Sequence, residues 1–303
     1  MPTNLSASVL ARLLNLAKQR GDDYNLLLNR YALERLLCRV ATSPHTDRFL
    51  LKGALLFALW YDEPHRPTRD ADLLGFGPAD AASLIDTFRD IASIELNDGI
   101  AFDRHSVRAD PIREDKRYGG LRVRLTGRIG TVRCVLQIDV GFGDAVTPEP
   151  QATLLPVLLA DLPAPKLRVY PVYTVIAEKY HAMVVLGLAN SCMKDFYDIA
   201  VIAQRTELDG ATLARAIAAT FVRRMTPLPA QTPAALTTEF SEDNAKQRQW
   251  QAFLTRSRIS AADLPKTVAL LNTLLWPATQ VAASNSNATA VWKPQVRQWV
   301  SGP

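Results

Sequence analysis

The sequence predicts an α+β protein in two lobes, a first lobe built on a mixed sheet and a second that is mainly helical. Three observations predict it. Short apolar strands and an alternating hairpin occupy the first half of the chain. A proline-rich stretch follows, with Pro148, Pro150, Pro156, Pro163, Pro165 and Pro171, and reads as a linker or strap between lobes. Beyond it, apolar residues recur at helical spacing. The chain of 303 residues suits two domains, and the boundary is drawn at 1–160 and 161–303.

Residues 5–18 and 24–40 read as two amphipathic helices broken at Gly21-Asp22-Asp23. Residues 49–52, Phe-Leu-Leu-Lys, form a short apolar strand, Gly53-Ala54 a close turn, and 55–60 an apolar helical run. The string TRDADLLGFG places Asp70 and Asp72 on the next strand. A helix over 82–91 and a strand over 101–107 come next. Tyr118-Gly119-Gly120 then introduces a hairpin with strands 121–125 and 132–141, joined by residues 126–130. In its second strand Cys134, Leu136, Ile138 and Val140 share one face, and Arg133, Val135, Gln137 and Asp139 share the other.

In the second lobe Val172, Val175, Ile176, Met183 and Leu186 lie on one helical stripe, and Lys179 falls on the same stripe. Ser191 reads as the N-cap of a helix carrying Lys194, Asp195, Phe196, Tyr197 and Asp198. Helices are expected over 211–224 and 264–275, separated by a proline-rich, polar stretch over 226–243. Trp250 and Phe253 suit packing better than base stacking. Residues 282–288 read as a loop before a short tail with Trp292 and Trp299.

Composition is that of an ordinary soluble protein, with 48% hydrophobic and 21% charged residues. Neither a signal-peptide layout nor an uninterrupted apolar stretch long enough for a bilayer is visible, so a cytoplasmic protein without a membrane partner is expected. Cys38, Cys134 and Cys192 are scattered on apolar stretches and read as reduced core thiols. The four histidines show no zinc-ligand spacing. The balance of 35 basic and 30 acidic residues, +5 net, permits a nucleic-acid partner without requiring one. Arg113, Lys116 and Arg117, the pair Arg122 and Arg124, and Arg223-Arg224 are local basic clusters, each read first as a solvated face.

The chemistry concentrates in a few residues. On an extended strand, Asp70 and Asp72 point to one side, because side chains alternate with period two. Like charges that close repel, and a divalent cation relieves them; Mg²⁺ is bound by one or two carboxylates together with substrate phosphates. The Gly53-Ala54 turn opens a helix whose unpaired N–H groups suit a phosphate. Asp139 lies on the polar face of its strand, where it either completes a carboxylate triad, as metal ligand or general base, or is satisfied by the adjacent Gly141-Phe142-Gly143 turn. Lys179 either snorkels past the core or meets an anion in a cleft between the lobes, a triphosphate being the choice. A methionine in its place would then preserve or raise stability.

These residues resemble the polymerase-β type of nucleotidyltransferase, whose core pattern is a Gly-Gly or Gly-Ser turn, a spacer and a D-x-D strand. More narrowly, Leu51-Lys52-Gly53-Ala54, Arg69-Asp70-Ala71-Asp72-Leu73, Ala177-Glu178-Lys179 and Lys194-Asp195-Phe196-Tyr197-Asp198 resemble the AbiEii family of toxin nucleotidyltransferases, which includes the MenT toxins. Ala54 departs from the pattern, removing a side-chain hydroxyl from the turn. The resemblance implies a polymerase-β-type first lobe that transfers a nucleotidyl group from an NTP to a hydroxyl. Asp70, Asp72, Lys179 and Asp195 would be catalytic. Lys52, Gly53, Ala54, Arg69, Asp139 and Asp198 would bind the nucleotide, and Asp70, Asp72 and Asp139 would hold Mg²⁺. It further implies RNA, tRNA above all, as acceptor and a cognate antitoxin as protein partner. Read without the resemblance, Asp195 and Asp198 are equally stabilisers of a helix N-terminus. A small-molecule nucleotidyltransferase and a non-catalytic interaction module are the alternatives.

Overall fold

The computed structural model describes residues 3–61, 68, 70–112, 120–284 and 290–301. Arg69, the cluster Arg113, Lys116 and Arg117, and the Tyr118-Gly119 step lie outside the described residues. The chain divides into two compact units, Met1–Gly143 with Gln151–Val169, and Asp144–Pro150 with Tyr170–Pro303.

The first unit begins with α1 (Thr3–Arg20) and α2 (Tyr24–Thr42). The break falls at Gly21, whose φ of +69° suits glycine, and Asp23 caps α2 by accepting from Leu26 N at 2.8 Å. Val9, Leu13 and Ala17 bury one stripe of α1. α2 also buries two arginines. Arg39 grips Asp98 with both terminal nitrogens, at 2.7 and 3.1 Å, and donates to the carbonyls of Arg35, Ile94 and Ile100. Arg35 pairs with Glu34 at 2.5 Å, and the other Glu34 oxygen accepts from Leu158 N. Burial raises the Glu34 carboxyl against the opposing pull of Arg35.

The remaining elements of this unit are β1 (Phe49–Lys52), α3 (Leu55–Tyr61), β2 (Asp70–Gly75), α4 (Ala81–Ala92), β3 (Ala101–Pro111), β4 (Leu121–Ile129), β5 (Val132–Phe142), β6 (Gln151–Leu154) and β7 (Lys166–Val169). The described strands form a seven-stranded sheet in the order β3-β4-β5-β2-β1-β7-β6. It is mixed, as expected: β2 runs parallel to β5 and β1 parallel to β7, and the other pairs are antiparallel.

Two expectations are corrected here. The hairpin connection is not 126–130; Ile129 pairs with Val132, so the turn is Gly130-Thr131, with Gly130 at φ +59°. Residues 125–129 continue the ladder because Leu125 and Ile129 still supply the buried face. The proline-rich stretch is not only a strap, since it contributes β6 and β7. Pro156, Pro163 and Pro165 lie between those strands and remove no ladder donor from them. The boundary drawn at 160/161 falls between β6 and β7, and β7 is held in the first unit by its pairing with β1.

The second unit contains α5 (Val172–Leu186), α6 (Met193–Arg205), β8 (Leu208–Asp209), α7 (Gly210–Arg223), α8 (Thr238–Glu242), α9 (Asn244–Ser257), α10 (Leu264–Ser284), β9 (Ala290–Lys293) and β10 (Gln298–Ser301). Of the expected loop over 282–288, residues 282–284 belong to α10 and 285–288 lie outside the described residues; the tail beyond it is a β-hairpin of β9 and β10. Leu208 of β8 pairs with Trp292, and the buried Trp292 ring donates to the Ala203 carbonyl at 2.7 Å. Helix α9 was not anticipated because only Trp250 and Leu254 on it are buried, too few for a visible stripe. α10 runs nine residues past its expected end, through Pro277. Trp250 is fully buried and donates to the Ala262 carbonyl, in keeping with a packing role. Among the described residues, one helical stretch, Val172–Ala189, has the length and hydropathy to cross a membrane; here α5 packs against α6 and α7. No disulfide joins the three cysteines; Cys38 and Cys134 are buried and Cys192 is half-buried.

Candidate active site

The D-x-D strand behaves as its alternation requires: Ala71 is buried, and Asp70 and Asp72 share the opposite, half-exposed face of β2. Register then gathers charge across the sheet. Lys52 of β1 opposes Asp72, Asp72 opposes Asp139 of β5, Asp139 opposes Arg122 of β4, and Arg122 opposes Asp110 of β3. One row thus carries five ionisable side chains on five adjacent strands. In the neighbouring row Asp70 opposes Gln137, which opposes Arg124.

Gly53 closes one end of this site. Its φ is +77°, and an added Cβ would lie 2.8 Å from Cγ and 2.9 Å from Cβ of Asp72. Only a residue without a side chain lets the turn pass that close to the carboxylate. Ala54 is buried, so its methyl group fills space where the resembling turns carry a second glycine or a serine. The helix after the turn, α3, is only seven residues long.

Asp139 has a partner that was not foreseen. Arg122 holds it with two parallel hydrogen bonds, Nε and Nη2 each at 2.8 Å from a carboxylate oxygen. Among the described residues no three His, Cys, Asp or Glu side chains converge as a metal-binding group. Asp70, Asp72 and Asp139 are therefore brought to one face of the sheet but not into one ligand set. The signal for the Arg122–Asp139 pair was present in the sequence: once the turn is placed at Gly130-Thr131, counting back along both strands sets these two residues opposite. The longer turn shifted the register and concealed it.

In the second unit Lys179, Asp195 and Asp198 meet. Lys179 Nζ lies 2.5 Å from Asp195 and 2.9 Å from Asp198, with the Lys179 side chain 16% exposed. The lysine therefore does not snorkel, and the anions it meets in the structure are two carboxylates one turn apart on α6. Burial pushes its ammonium down, but Asp195 and Asp198 together outweigh this and raise it above its ordinary value, so it is charged at neutral pH. The helix starts one residue later than expected: Cys192, not Ser191, is at the N-cap, and the Asn190 side chain accepts from Cys192 N.

Sequence reasoning also missed a polar network around Arg224 and Glu178. Arg224 lies 3.0 Å from Asp144 and 3.8 Å from Glu178, and Tyr170 donates to Glu178 at 3.2 Å. Buried His181 contacts Thr226 Oγ1 through Nε2 at 2.8 Å and Arg224 through Nδ1 at 3.3 Å. Burial, and next the positive charge of Arg224, lower the His181 imidazole to about 4. It is neutral at physiological pH.

The family model described as nucleotidyl transferase AbiEii toxin, type IV toxin–antitoxin system, matches residues 35–278. No curated protein matches the chain at a significant level. Similar solved structures include JHP933 from Helicobacter pylori, at 14% identity and a TM-score of 0.44, covering 85% of this chain and 94% of that one. Another H. pylori structure, provisionally described as a nucleotidyltransferase, is 15% identical with a TM-score of 0.45, covering 86% of this chain and 97% of that one.

Proposed function

Because this chain belongs to the AbiEii family of nucleotidyltransferase toxins, it is a nucleotidyltransferase, and we propose that it moves an NMP from an NTP to a hydroxyl of RNA, tRNA included. The acceptor O–H attacks the α-phosphorus, the bond to the β-phosphate bridging oxygen breaks, pyrophosphate leaves, and the acceptor proton passes to a base. The observation that carries this reading is the closeness of the Gly53 backbone to Asp72, on the strand face that Asp72 shares with Asp70.

The donor set fits Mg²⁺: two hard carboxylate oxygens on one strand, beside a turn where a side chain is sterically excluded. Asp70 and Asp72 would hold the ion. Asp139 already has a cation in Arg122, so this reading does not depend on it as a third ligand. When bound, the ion would supply positive charge to the polyphosphate. Lys52, in register with Asp72, adds a cation to the same row. Lys179 and Asp195 enter through the family resemblance as a cation and an acid of the same reaction. The toxin–antitoxin family further supports a cognate antitoxin as protein partner.

The test is incubation of the protein with α-labelled NTPs, Mg²⁺ and total RNA. Label should enter RNA with release of pyrophosphate, and Asp72→Asn should abolish both. Transfer of label only to small molecules, or equal transfer by the variant, would refute the reading.

A further inference from the structure

The sheet face that carries Asp70 and Asp72 continues beyond them onto β4 and β3, and there its composition opposes stability. Arg124 sits directly opposite Arg108, and Arg128 directly opposite Arg133. Like charges facing each other across an antiparallel pair destabilise it. Two such pairs lie on one open face, and all four arginines are exposed. The opposite face of the same strands is apolar and buried, through Val123, Leu125, Ile129, Leu136 and Ile138.

The pairs are only partly neutralised. Arg124 reaches Asp110 at 2.9 Å, and Arg108 turns back to the carbonyls of His105 and Val107. Arg133 has a long contact of 3.5 Å to Thr126 Oγ1. Among the described residues, neither Arg128 nor Arg133 has a carboxylate partner. Asp103, opposite Thr126, is the nearest acid in register, and its Oδ1 accepts from the His105 amide.

Position adds to charge. Arg128 and Arg133 lie four residues along β4 and β5 from Arg124 and Gln137, the row that ends at Asp70, which is roughly 14 Å at the usual rise. The positions between, Arg124, Thr126, Val135 and Gln137, include no aromatic ring and no acid. A face built this way offers charge to a backbone and nothing on which bases would stack.

We infer that the β4–β5 face bearing Arg124, Arg128 and Arg133 is the track on which the phosphate backbone of the acceptor RNA lies as it leads to Asp70 and Asp72. This rests on the reading of RNA as acceptor and adds where and how that acceptor is held. Binding there is electrostatic and indifferent to sequence. The phosphates relieve the arginine repulsion that the free protein carries.

The experiment compares wild type, Arg128→Gln/Arg133→Gln and a charge-matched control, Arg248→Gln/Arg256→Gln on α9. The probe is a short fluorescein-labelled single-stranded RNA of mixed sequence, followed by anisotropy from about 50 to 200 mM salt, where each lost phosphate contact lowers the log–log slope by about 0.7. The sheet variant should bind about tenfold more weakly at the low-salt end, with the slope reduced by roughly 1.4. Its KM for RNA should rise while its KM for NTP and its melting temperature stay level or improve. The control should match wild type. Equal weakening in both variants, or none in the sheet variant while wild type binds and modifies RNA, overturns the track and leaves the RNA acceptor standing. If wild type binds no RNA and modifies only small molecules, the acceptor reading falls and the track with it. If poly-glutamate binds the face as tightly as RNA and depends on the same arginines, the surface belongs to an acidic protein and the inference is wrong.

Discussion

Gly53 lies against the carboxyl group of Asp72 so closely that a single added methyl group would stand 2.8 Å from its Cγ. Gly53→Ala should therefore act on both backbone and site. The positive φ alone costs about 1–3 kcal/mol for a residue with a side chain, and the carboxylate must move aside. Nucleotide transfer should be lost with a modest fall in melting temperature. A Gly53→Ala enzyme with wild-type pyrophosphate release would show that the close approach has no part in the reaction.

Asp72→Asn removes one charge from a row in which Asp72 faces Asp139 on one side and Lys52 on the other. Loss of one carboxylate repulsion offsets loss of one lysine attraction, so the melting temperature should change little. Transfer should fall by orders of magnitude, about 10² or more for the loss of a charge stabilising the transition state. Thermal unfolding and pyrophosphate release on the same sample separate the two effects.

Lys179→Met reverses an expectation drawn from the apolar stripe. Judged by the stripe alone, methionine should be tolerated or stabilising. The structure gives Lys179 two carboxylate partners, one of them, Asp198, with a side chain 1% exposed. Removing the cation takes the Lys179 counter-charge from both acids, which should destabilise the protein by about 3–5 kcal/mol. Adding Asp195→Asn and Asp198→Asn should restore much of that stability. Activity should remain absent in the triple variant, and its return would assign Lys179 to the fold alone.

His181 predicts a pH dependence with a definite sign. Its imidazole is lowered to about 4 in the folded chain from an ordinary 6.5, so between those values the unfolded chain binds the extra proton. Its contribution is intact above pH 6.5 and is lost as pH falls toward 4. A shift of that size is worth up to about 3 kcal/mol. Melting temperatures measured from pH 7 to 4 should fall less steeply for His181→Gln than for wild type. Parallel curves would show that the ring does not titrate in this range.

Asp98→Asn tests the buried ion pair beneath α2. Arg39, 1% exposed, would keep its carbonyl acceptors but lose its counter-charge. A loss of about 3–5 kcal/mol in denaturant unfolding is expected. A much smaller loss would mean that the backbone carbonyls suffice.

The sequence by itself determined the local features. Strand 49–52, the shared face of Asp70 and Asp72, the alternation through Asp139, and the helix bearing Lys179 all follow from side-chain period, which is a property of a few consecutive residues. It also determined the family, because the short motifs around Gly53, Asp70 and Lys179 are contiguous strings. Only the tertiary structure decided which residues meet. Arg122 takes Asp139 because a two-residue turn sets the register, and a misplaced turn sends every pair to the wrong partner. β6 and β7 emerge from a proline-rich stretch because β1 offers a pairing edge more than a hundred residues away in sequence. Lys179 is an ion-pair centre rather than a lone buried charge because α6 packs against α5 and presents two acids to it. Period is written along the chain, whereas the partner of a charge is fixed only when distant segments come together.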